Sequence, residues 1–211
     1  MEFYYGVTIF SFILLCLAVI TGSLSYHKLP EDLRWFLFYL GFILSIELST
    51  KILVILKTQN LFMYPYYIAG EFFLLAVMSQ VALQWTSRSR IIIGMVTVLL
   101  FLESFSLWVS NENVATGYGK IVSHITIISM IGLYLIRVVK GELQMTSNKY
   151  IRIYTTLFFY YAISLFLFLV LEQLTLIEGD LAALVWGLNN LLSAFLYGMS
   201  FYTFFRLWRL A

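Results

Sequence analysis

The chain is short of nearly everything a water-soluble protein displays at its surface. Only 11% of its 211 residues are charged, where a soluble domain carries about 25%. That excludes a soluble globular domain, and the scarcity of polar residues equally excludes a disordered one. A single cysteine, Cys16, rules out an intrachain disulfide and leaves the redox compartment unread. The two prolines, Pro30 and Pro65, fall at the starts of apolar runs, so helices broken at their centres are not expected. A formal net charge of +2 provides no basic footprint for a nucleic acid.

The missing residues also remove several membrane chemistries. His27 and His124 are the only histidines. They fall on opposite sides of the expected membrane, whereas seven-helix zinc hydrolases use three histidines together. The last apolar run has no lysine for a retinal Schiff base. No Gly-x-Ser-Gly nucleophile, phosphate-binding loop or dinucleotide fingerprint occurs. A carboxylate-only acid/base site stays open, but no catalytic residue, metal site or cofactor is expected, and an enzyme is disfavoured.

What the chain has instead is apolar length. Hydrophobic residues make up 62% of it and its mean hydropathy is +0.91. A spanning helix needs about 20 mostly apolar residues. Stretches of that kind run over 3–22, 35–56, 61–84, 91–109, 121–139, 153–175 and 181–205. The expectation is an all-α seven-transmembrane-helix bundle, one transmembrane domain over 1–211, whose short connections make successive helices antiparallel neighbours. The segment before the first run, MEFYYG, has an acid and no base, the wrong charge for a cleaved signal peptide.

Basic residues orient such a bundle, because Lys and Arg near span ends stay on the cytoplasmic side. Lys28, Arg34, Arg88, Arg90, Arg137, Lys140, Lys149, Arg152, Arg206 and Arg209 fall together on one side and Lys57 and Lys120 on the other, with Lys51 set aside inside the second span. The N-terminus is then outside and the C-terminus cytoplasmic.

Ionisable groups inside a bilayer are costly and so become candidate functional groups. Glu47, Lys51, Glu71, Glu103, His124 and Glu172 lie within spans, and the last span adds Asn189 and Asn190. At a rise of about 1.5 Å per residue, all of them fall between mid-membrane and the outer face. Glu47 and Lys51 stand at i, i+4 with the acid first, the better order for an intrahelical pair. Tyr64, Tyr67 and Glu71 share one helix face, as do Trp186, Asn190, Ser193 and Tyr197. Lipid cannot satisfy such faces, so they are expected to point into the bundle.

Each candidate also has a bland reading. Glu47–Lys51 can be a structural pair, the asparagines interhelical glue, and His124 and Glu172 merely hydrated near the interface. Glu71 and Glu103 resist that reading, since neither has a base within a turn of its own helix. Together the residues suggest an outward-facing polar cavity lined by Tyr67, Glu71, Glu103 and Asn190. Its acids outnumber its one lysine and favour a cationic, amine-bearing or proton-donating ligand over an anionic one.

Three segments carry a likeness: FLFYLGFILSIELSTKIL, NLFMYPYYIAGEFFLL and VWGLNNLLSAFLYGMSFYTF. In these the chain resembles a group of small seven-helix inner-membrane proteins of Bacteroidetes-type bacteria that have no settled activity. The resemblance implies the fold and little about function. Where that group has a WxxH-type segment in the last span, this chain reads Trp186-Gly187-Leu188-Asn189, so no histidine ligand is implied there. The leading expectation is a receptor-like or sensor module that acts through a membrane or cytoplasmic partner at the basic inner loops. Alternatives are a transporter or channel subunit using the intramembrane carboxylates, and a structural assembly subunit.

Overall fold

The computed structural model describes residues 2–110, 117–143, 150–174 and 179–209, with side chains described for these except 2–3, 170–174 and 179–183. Among the described residues the chain forms seven α-helices and no strands: α1 (Glu2–Leu24), α2 (Glu31–Ile55), α3 (Met63–Ala82), α4 (Ser87–Val109), α5 (Tyr118–Val139), α6 (Ile151–Leu174) and α7 (Gly179–Arg209). Five helical stretches among the described residues are long and apolar enough to cross a membrane, namely Tyr4–Leu24, Glu31–Ile55, Ser87–Val109, Tyr118–Val139 and Ile151–Leu169. That is the pattern of a multi-pass membrane protein. α3 is not among them. Its tyrosine-rich first turns, together with Glu71, Ser79 and Gln80, lower its hydropathy.

Local chemistry sets the helix ends. Pro30 precedes α2 in extended conformation, and Glu31 and Asp32 follow in the first turn, where carboxylates complement the helix dipole. Pro65 lies in the first turn of α3, where a missing N–H costs nothing. α2, α3 and α5 end in one motif, with Lys57, Gln84 and Gly141 in the left-handed region. In each, the next amide reaches back to the last turn: Thr58 to Leu53, Trp85 to Gln80 and Glu142 to Arg137, at 2.9, 3.1 and 3.0 Å. These bonds use carbonyls that the helix itself cannot satisfy.

The chain divides into two compact units. Unit 1 comprises residues 1–28 and 131–211, and unit 2 residues 29–130. In unit 1, α7 packs against both α1 and α6. Its core includes Leu15 and Ala18 of α1, Tyr154 and Tyr161 of α6, and Leu196 and Phe204 of α7. In unit 2, α3 packs against both α2 and α4. Gly70 is needed at the first contact, because a Cβ there would collide with the Phe42 ring. α3 contributes more buried residues to unit 2 than any other helix, including Ile68, Phe72, Leu75 and Ala76, whereas α4 buries only Ile93, Leu100 and Ser104. A helix shielded by its neighbours can hold polar side chains that a lipid-facing one cannot.

Candidate functional site

The two carboxylates with no base within a turn of them on their own helices converge on the first turn of α5. Lys120 Nζ donates to Glu71 Oε2 of α3 at 2.6 Å, and the two side chains are 4% and 1% exposed. The backbone N–H of Gly119 donates to Glu103 Oε1 of α4 at 3.2 Å. Glu103 therefore caps α5 from a neighbouring helix, supplying an acceptor to an amide that has no partner within its own helix. A Cβ on Gly119 would overlap that carboxylate, so only glycine allows the approach. Ser104 Oγ donates to the second oxygen, Glu103 Oε2, at 3.3 Å.

Around Lys120 the site is built for an ammonium group. Tyr67 OH donates to Glu71 Oε1 at 3.1 Å, a contact allowed by their i, i+4 spacing on α3. The Lys120 ammonium also lies 4.3 Å from the centroid of the Tyr67 ring. One tyrosine thus orients the carboxylate through its hydroxyl and faces the cation with its π-system. His124, one turn beyond Lys120 on α5, is 1% exposed. Two buried hydroxyls complete the surroundings without a hydrogen-bond partner of their own, Tyr64 on α3 and Ser123 on α5.

The remaining sequence candidates make contacts of their own. Glu47 is partly buried on α2, and Lys51, exposed on the same helix, attracts it electrostatically. Asn190 and Asn189 belong to unit 1. Asn190 Nδ2 donates to Thr8 Oγ1 at 2.8 Å, and Ser164 Oγ donates to Asn189 Oδ1 at 2.9 Å. Asn189 also borders a small pocket with Leu167, Phe168, Val185 and Trp186. The side chain of Glu172 lies outside the described residues.

Lys120 was missed because the fifth apolar run is read from 121, which leaves the lysine in a connection. α5 begins at Tyr118, and that shift of one turn puts Lys120 inside a helix. A signal was available: Glu71 needs a base from another helix, and Lys120 stands at i, i+4 with His124. The chain matches no family model, no curated protein and no solved structure, so the functional reading rests on this geometry.

Proposed function

We propose that the protein is a receptor-like or sensor module of a bacterial inner membrane, a seven-span bundle with its N-terminus outside. It recognises an amine-bearing small molecule or peptide segment at Glu71 and Tyr67, and it acts through a partner protein on its basic inner loops. The observation that carries this reading is the buried Lys120–Glu71 pair beside the Tyr67 ring. A carboxylate combined with an aromatic face is the chemistry that recognises an ammonium group, and here the chain's own lysine fills it. Buried ion pairs are no more stable than well-packed apolar contacts, so stability alone gives little reason to keep one. A ligand amine offers Glu71 the same bonds as Lys120 and exchanges with it. Displacing Lys120 also disturbs Gly119 beside it, and with it the cap from Glu103. The first turn of α5 thereby couples α3 and α4 to the occupant of the site.

A transport path would have to continue along α5 past His124. The next residues on that face, Ile127 and Met130, are buried and apolar, which favours a switch over a conduit.

The test is chemical rescue. Lys120→Ala in lipid nanodiscs empties the ammonium position, and propylammonium should raise its unfolding temperature in a saturable way. The same titration should leave Glu71→Gln/Lys120→Ala unchanged. If Lys120→Ala folds and propylammonium moves neither variant, the ammonium-site reading is lost.

A further inference from the structure

α2 changes character halfway along. All of its buried residues lie between Leu33 and Ile43, and none of those from Leu44 to Ile55 is buried. The same helix is one of the stretches able to cross a membrane. Its uncovered half is not uniformly apolar. Leu48, Lys51 and Ile55 follow at i, i+3 and i+7, and all three are exposed, Leu48 at 43% and Ile55 at 78%. Glu47 flanks this stripe one turn before Lys51. A lysine near a helix end can carry its ammonium to the membrane surface on its long stem. Glu47, two turns from the end of α2, has no such reach. An apolar stripe that carries a carboxylate and an ammonium is poorly matched to lipid and well matched to another helix.

The charge pattern identifies that helix. An acid and a base one turn apart, which attract each other within one helix, also attract the opposite charges of a copy across a two-fold axis. When two α2 helices lie parallel about a two-fold axis, each Lys51 reaches back one turn, about 6 Å along the axis, to the Glu47 of the other chain. Leu48 packs between the two pairs and Ile55 one turn beyond them. We infer that the second half of α2 is the contact surface of a homodimer, closed by reciprocal Lys51–Glu47 pairs around an apolar seam. A closed two-fold contact of this kind uses the same patch on both chains.

Charge reversal tests the inference in a way that separates pairing between chains from pairing within one. Glu47→Lys places two bases on the stripe and Lys51→Glu two acids. In detergent micelles, with protein mass read by light scattering, the parent chain should have the mass of two 24.5 kDa chains, and each reversed variant that of one. When the two variants are co-expressed with different affinity tags, every reciprocal pair is restored, so tandem purification should recover a mixed dimer. If each variant's like charges act only within its own helix, mixing restores nothing. A monomeric parent, a variant that stays dimeric, or variants that fail to pair when mixed each overturns the inference. If the reversed variants do not fold, Leu48→Cys in a Cys16→Ser background decides: oxidation in native membranes should give a cross-linked dimer, and a chain that stays monomeric overturns the inference.

Discussion

Where unit 1 ties its buried helices with amides and hydroxyls, unit 2 uses carboxylates and an ammonium. In unit 1 the ties are Asn190–Thr8, Ser164–Asn189, and Ser25 Oγ donating to the Phe204 carbonyl at 3.1 Å. In unit 2 they are Lys120–Glu71 and the Glu103 cap on Gly119, with Arg90 Nε donating to Gln80 at 2.9 Å nearer the surface. The two chemistries differ in what they cost. A neutral bond between membrane helices contributes little and loses little when broken. A buried charge is held at a large desolvation cost and leaves an uncompensated ion when its partner is removed. The units therefore differ in how they should respond to loss of one side chain: unit 1 by small steps, unit 2 abruptly.

The largest effect belongs to the ion pair. Lys120→Met leaves Glu71 buried without its cation and should cost about 3–5 kcal/mol, read as a shift in the SDS-unfolding midpoint in mixed micelles. Glu71→Gln/Lys120→Met removes both charges, keeps the Tyr67 contact and should recover most of that loss. If Lys120→Met alone unfolds at the parent midpoint, the pair is hydrated and the contrast between the units disappears.

An intermediate effect belongs to the α5 cap. Gly119→Ala drives a methyl group into the Glu103 carboxylate and displaces the acceptor, and losing a helix cap costs about 0.5–2 kcal/mol. The sharper outcome is non-additive. Glu103→Ala removes the group that the methyl would strike, so Glu103→Ala/Gly119→Ala should be no less stable than Glu103→Ala alone. Additive losses would mean that the two residues act independently.

These comparisons also mark how far the sequence was legible. Helix positions were readable because about 20 apolar residues in a row have few other uses, and the observed ends fall within a few residues of those expected. The face shared by Tyr67 and Glu71 was readable too, because helical periodicity fixes it. What escaped was the partner of Glu71. Contacts between helices depend on which faces meet, and periodicity along one helix does not carry that information. The shift of the α5 start to Tyr118 then concealed the one residue that would have supplied the answer. The Glu103 cap was unreadable for a different reason: its donor is a backbone amide, which every residue except proline possesses, and only the glycine at 119 hinted at a close approach.

The smallest effect tests the neutral half of the comparison. Asn190 and Thr8 join α7 to α1 through one amide-to-hydroxyl bond of 2.8 Å. Thr8 Oγ1 also donates to the Tyr4 carbonyl at 2.8 Å, so the threonine keeps a partner when Asn190 is lost. Asn190→Leu and Thr8→Val preserve approximate size while removing the bond from either side. A double-mutant cycle of the two should give a coupling of about 0.6 kcal/mol, the usual scale for hydrogen bonds between membrane helices. Denaturant midpoints in mixed micelles resolve a coupling of that size when all four proteins are measured together. A coupling as large as that of the Lys120–Glu71 pair would show that Asn190 acts as more than glue, and the division between a neutral unit and an ionic one would no longer hold. A coupling near zero would instead mean that each side chain finds another partner once the first is gone, which is how a bond of low cost is expected to behave.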